Sequence, residues 1–223
     1  MAVLMTVALA GAVFWRCIPR PQRFPLATFI DGPDPARAVG VLVFLHGVGG
    51  SIARSEVIVK QLRQAGLPPD FAIVLLEGPF WSGFGHSWGQ TAEEQATSRA
   101  RLRARLREIL GEAGPPPSRM VIAGFSQGAG VAIDMAVEET RIGAVASLSP
   151  CLSWLRGGLP KRDNLRILLA HGTRDARCPV EESRSLARVL EDARKPAQYI
   201  EFDGAHVVSP EIVRKLAAFA TTP

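Results

Sequence analysis

The stretch Val121–Gly130, VIAGFSQGAG, constrains this chain more than any other. An apolar run leads straight into a glycine-flanked serine and then into helix-forming residues, so the backbone has to turn sharply at Ser126. Gly124 and Gly128 carry no side chains, which lets strand and helix meet closely and leaves the serine hydroxyl exposed at the strand's end. The five-residue pattern is weak alone, and its context has to carry the reading.

That context is a βαβα rhythm. Beyond a Pro-rich link at 19–35, apolar runs alternate with amphipathic segments, which predicts an α/β fold with a mostly parallel sheet covered by helices on both faces. Strands are expected at 39–45, 71–76, 119–123, 142–148, 166–170 and 198–202. Helices are expected at 52–65, 92–110, 127–137, 181–193 and 210–220, each long enough to cross over the sheet. In open sheets of this kind the chemistry gathers in loops at the carboxyl ends of strands. Four such loops are rich in functional groups: HGVGGS after the first strand, GFSQG after the third, HGTRDARCP after the fifth and DGAHVVSP after the last.

The chain has 223 residues, enough for one well-buried core and short for two, so 24–223 reads as one domain and 1–23 as a targeting or signal-anchor segment. Residues 1–15 are uncharged and mostly apolar, with Arg16, Arg20 and Arg23 following them. Charges placed after the apolar stretch suit a short signal-anchor that leaves the domain on the cytoplasmic side. Fifteen helical residues reach roughly 22 Å, however, against a hydrocarbon core of roughly 30 Å. Membrane association through 1–15 and packing of this segment on the domain both stay open, and nothing in the sequence sets the oligomeric state.

A net charge of +5 is compatible with anionic surfaces or acidic substrates. Much of the excess lies in 98–107, where Leu102, Leu106, Ile109 and Leu110 keep a core stripe and the arginines form a solvated face. No nucleic-acid motif accompanies it, so no nucleic-acid partner is expected. Cys17, Cys151 and Cys178 lack metal-site spacing and are expected as free thiols. Cys151 and Cys178 fall in loops that the topology brings near each other, and an exported protein could oxidise them.

A serine attacking an acyl carbon needs a histidine to take its proton and a carboxylate to orient that histidine. After Ser126 come only His171, within the turn ending the fifth strand, and His206, in the loop after the last strand; His206 is the expected base. Asp175, in the loop after the fifth strand, is the expected acid. Asp203 is the runner-up, so close to His206 that it suits shaping the turn. The oxyanion would be held by the N–H groups of Gln127 and Val48, with Gly47, Gly49 and Gly50 allowing close approach and His46 buttressing the turn.

Together these residues resemble the phospholipase/carboxylesterase family of α/β-hydrolases, which includes bacterial carboxylesterases and acyl-protein thioesterases. The resemblance covers roughly 39–219 through LHGVGGS, AGFSQGAGVAIDMA, SLSPCL, HGTRDARCPVEES and GAHVVSPEIVRKLAAF. It implies a Ser126, Asp175, His206 triad, no metal or organic cofactor, and hydrolysis of carboxylic esters or thioesters. Lysophospholipid esters and peptides are alternative substrates of the same triad, and a non-catalytic binding protein is the reading outside enzymes. The aromatic segment GPFWSGFGHSWG departs from the family, and there Phe80, Trp81, Phe84, His86 and Trp88 are expected to line an acyl groove, with Trp154 beyond it. Fewer than twenty residues separate 148 from 166, too few for a lid domain, so the groove is expected to be open and suited to short or medium acyl chains.

Overall fold

Among the described residues seven strands form one sheet, in the spatial order β1 (Thr28–Asp31), β3 (Phe71–Leu76), β2 (Gly40–Leu45), β6 (Met120–Phe125), β7 (Ala144–Leu148), β8 (Arg166–Gly172) and β9 (Ala197–Phe202). The computed structural model describes residues 26–222 apart from 113, 152, 154, 156, 157, 159–161 and 196. The apolar N-terminal stretch and Trp154 therefore lie outside the described residues. Among the described residues no helix is long and apolar enough to cross a membrane.

The central strands are β2 (Gly40–Leu45), β3 (Phe71–Leu76), β6 (Met120–Phe125), β7 (Ala144–Leu148) and β8 (Arg166–Gly172), all mutually parallel along the sheet. Their near-continuous apolar sequences are what a sheet buried on both faces demands, and almost every residue in them is buried. One edge is β9 (Ala197–Phe202), parallel to β8. The other is β1 (Thr28–Asp31), antiparallel to β3 and lying inside the stretch expected to be a Pro-rich link. Four residues of mixed polarity give β1 no periodic signal. Its pairing is supplied by β3 and by Arg63, whose Nε donates to Asp31 Oδ2 at 2.8 Å.

One face of the sheet is covered by α1 (Ile52–Gln64) and α5 (Pro210–Thr221), and the other by α2 (Ala92–Leu110), α3 (Gln127–Glu138) and α4 (Val180–Asp192). Ser51, Thr91 and Ser209 cap α1, α2 and α5, each accepting from a main-chain N–H three residues on. On α2 the apolar stripe is Leu102, Leu106 and Leu110, all buried. Its arginines are ties rather than a wholly solvated face: Arg99 contacts Asp134 at 3.4 Å and Glu138 at 3.1 Å on α3, and Arg103 also bonds Glu138.

Because β3 lies on one side of β2 and β6 on the other, the chain leaves β2 and β6 toward opposite faces. The crevice at their carboxyl ends is the switch point where open α/β sheets bind ligands. Between β3 and α2 the aromatic segment makes a small hairpin, β4 (Phe80–Trp81) with β5 (His86–Ser87), fastened by His86 to Gly50 in the loop after β2. A disulfide joins Cys151 and Cys178, with their Cα atoms 4.9 Å apart, which corrects the free-thiol expectation for these two. The reason is topological: parallel β7 and β8 deliver both loops to the same end of the sheet.

Candidate active site

Ser126 sits between β6 and α3 with φ 56° and ψ −119°, a left-handed conformation that a side chain rarely adopts. The turn is held by Ser126 N–H donating to Leu148 O at 2.9 Å. A Cβ on Gly128 would collide with the Leu45 carbonyl and one on Gly124 with the Gly128 carbonyl, so both glycines are demanded by close backbone approach. The Ser126 hydroxyl takes no hydrogen bond among the described residues.

Asp175 and His206 meet across two loops, Asp175 Oδ2 accepting from His206 Nδ1 at 2.6 Å. That bond puts the ring proton on Nδ1 and leaves Nε2 with a lone pair. The Asp175 side chain is fully buried, and His206 is nearly so. Oδ1 accepts from the N–H groups of Arg177 at 2.9 Å and Cys178 at 3.0 Å. Burial pushes the Asp175 carboxyl up, but the Cys178 N–H, the His206 ring and the Arg177 N–H together outweigh it and hold the group below its ordinary value. The loop is backed by His171, fully buried, whose Nε2 lies 2.8 Å from Cys178 O and 3.3 Å from Asp175 Oδ2 while Nδ1 lies 2.6 Å from Ser183 Oγ. His171 lies in β8, four residues before Asp175, and that spacing is the sequence signal for its place behind the carboxylate. Asp203, the runner-up acid, faces solvent in an exposed pair with Arg174 at 3.1 Å.

His206 is brought beside the elbow by its ring packing, 4.7 Å between centroids, on Phe125, the residue before the serine. A Cβ on Gly47 would touch Ser126 Cβ at 3.0 Å, so the glycine loop after β2 also abuts the serine. The N–H groups of Val48 and Gln127 have no partner among the described residues, the second because the first turn of a helix leaves its donors over. Main-chain donors left over beside a serine can stabilise a developing oxyanion.

The expected groove aromatics divide. Phe84 is exposed and lines a groove of about 480 Å³ that also includes Val48, Val57, Phe125, His206 and Val207. Trp88 is fully buried, its Nε1 donating to His46 O at 2.8 Å and its N–H to Gln127 Oε1 at 2.9 Å. It joins the glycine loop to the elbow. His86 lies 3.2 Å from Glu77 Oε1 and 3.0 Å from Gly78 O, and its main chain pairs with Gly50, so it fastens the hairpin to that same loop. Trp81, 68% exposed, packs edge-on against His86, and Phe80 pairs with Ser87 across the hairpin; neither lines the groove. Among the described residues no cluster of three or more His, Cys, Asp or Glu side chains is placed to hold a metal ion.

The family model described as Phospholipase/Carboxylesterase matches residues 86–222. No curated protein matches the chain in sequence. Among solved structures it is similar to esterase PE8, at 22% identity over 88% of this chain and 98% of that one, with a TM-score of 0.73. It is also similar to the Bacillus cereus carboxylesterase, at 19% identity over 87% and 93% of the two chains, TM-score 0.70. A carboxylesterase from Mesorhizobium loti is 17% identical over 90% and 98%, TM-score 0.71. Likeness at such identities carries the fold, while the family model spans more than half of the chain. The chain belongs to the phospholipase/carboxylesterase family of α/β-hydrolases and is a carboxylic ester hydrolase of that type.

Proposed function

We propose that the protein cleaves carboxylic esters of short to medium acyl chains through an acyl-enzyme formed on Ser126. The observation that carries this reading is the 2.6 Å bond from His206 Nδ1 to the buried, ionised Asp175, which leaves Nε2 as the free base beside the elbow serine. His206 Nε2 takes the proton from Ser126, the oxygen attacks the acyl carbon, and the Val48 and Gln127 N–H groups hold the oxyanion. Asp175 stabilises the imidazolium, which then protonates the leaving alcohol. Water activated by the same histidine hydrolyses the acyl-enzyme and restores the serine.

The size of the groove limits the acyl chain it takes. Its volume of about 480 Å³ is at the low end for a small-molecule site, and its rim exposes Val57, Phe84 and Val207, which suits an apolar tail of modest length. The test is hydrolysis of p-nitrophenyl esters from acetate to palmitate by the full chain and by Ser126→Ala. The wild type is expected to peak at short or medium chains, and the variant to lose on the order of 10⁶-fold in kcat. Undiminished turnover by Ser126→Ala would discard the mechanism.

A further inference from the structure

Arg54, on the first turn of α1, lines the groove and is exposed to solvent. Its Nη1 donates to the carbonyls of Gly49 and Phe84, the second at 3.1 Å. Both hydrogens of that nitrogen are thereby used, and the side chain is clamped against the loop that carries Val48. The Nε–Nη2 edge takes no partner among the described residues, and no carboxylate pairs with it. That edge presents two parallel N–H groups, the geometry that grips a carboxylate or phosphate through two bonds at once.

The charge around it is one-sided. Among the described residues no acidic side chain lines the groove, and Arg54 is the one permanently charged residue in its lining. The Glu77 carboxylate lies outside the groove lining, accepting from Ile52 N–H at 3.0 Å and lying 3.2 Å from His86 Nε2. His46 is buried and held neutral. A guanidinium already immobilised by two carbonyls loses little further freedom when it grips an anion, which lowers the entropic cost of recognition. Since Arg54 bonds the residue next to Val48, its charge lies within about 10 Å of the oxyanion position, a span that a few bonds of substrate cover.

We propose that Arg54 makes this groove selective for esters that carry an oxyanion, carboxylate or phosphate, a short spacer away from the scissile carbonyl. The proposal rests on the esterase reading above and names the substrate class of that same site.

Two pairs of probes separate the sides of the ester. p-Nitrophenyl hemiglutarate against p-nitrophenyl valerate places the anion in the acyl group, and 4-carboxyphenyl butyrate against phenyl butyrate places it in the leaving group. The readout is the ratio of kcat/KM, anionic over neutral, for the full chain and for Arg54→Gln. In one of the two pairs this ratio is expected to fall about tenfold in the variant, and the wild-type ratio to fall as ionic strength rises. The pair that responds tells which side of the ester faces Arg54. If Arg54 only straps Gly49 and Phe84, both members of each pair weaken together and the ratio stays constant, which overturns the proposal. A wild-type ratio indifferent to salt overturns it even where Arg54→Gln does not fold. A wild type that hydrolyses valerate but shows no Arg54-dependent ratio sinks this proposal alone, whereas one that hydrolyses none of the four esters sinks the esterase reading and this proposal with it.

Discussion

A histidine enclosed between its own turn and Gly78 loses the water that would solvate a charge. Burial lowers the proton affinity of His46, and its bond to the Gly47 carbonyl and the charge of Glu77 only partly offset that. Its Nε2 accepts from Gly78 N–H at 3.0 Å, so the proton is on Nδ1, which donates to Gly47 O at 2.7 Å. A trans peptide points its C=O and N–H in opposite directions, so holding the Gly47 carbonyl also fixes the direction of the Val48 N–H. His46→Ala is expected to lower kcat about 10²-fold in steady-state kinetics while changing KM little, as loss of one aimed oxyanion donor would. The same residue makes a pH prediction. Its folded value lies below the ordinary 6.5, so the unfolded chain binds the proton first and stability falls as pH drops below about 6.5. For Asp175 the contribution is present above 3.8 and is lost as pH falls through its lower folded value. Thermal denaturation from pH 8 to 5 should therefore show a decline in the wild type that His46→Ala flattens.

Between elements, the side chain of Gln127 is the fastening that holds the aromatic segment to the elbow. Its Oε1 accepts from Trp88 N–H at 2.9 Å and its Nε2 donates to Gly89 O at 2.7 Å, all of it buried. Truncating it leaves a donor and an acceptor unpaired in the core, at a cost of about 2–4 kcal/mol. The N–H proposed to hold the oxyanion is main chain and survives the change. Gln127→Ala should thus lower the midpoint of urea unfolding clearly, yet reduce kcat by far less than Ser126→Ala. A kcat loss as large as that of the serine variant would mean that the hairpin, rather than the elbow, sets the position of the donor.

Over the whole molecule, the parallel sheet brings the loops after β7 and β8 side by side, and the Cys151–Cys178 bridge locks them there across 27 residues of chain. One of its residues is also Cys178, whose N–H holds Asp175. Closing a loop of that length in the unfolded chain is worth about 2–4 kcal/mol. Cys151→Ser, or treatment with reductant, is expected to lower Tm by several degrees and to weaken ester hydrolysis by loosening the loop of Asp175, the proposed acid. A Tm indifferent to reductant would show that the two thiols do not bridge in solution.

Apolar runs of five to seven residues, interleaved with amphipathic segments, were enough to predict the parallel sheet and the helices that flank it, because burial on both faces leaves no other composition for those strands. Chain order was enough to nominate Ser126, Asp175 and His206, since the elbow and the loops at strand ends are written locally. Strand β1 was not legible: four residues of mixed polarity become a strand only because β3 offers an open edge. Which aromatics wall the groove was not legible either, for Trp88 and Phe84 are neighbours in one segment, and a two-strand hairpin buries the first while exposing the second. The disulfide, the support of Asp175 by His171 and the clamp on Arg54 likewise depend on contacts between residues separated by loops. Local sequence states what each segment can bury or turn; which side chains then face one another is set by how the sheet orders its strands, and that order is a property of long-range packing.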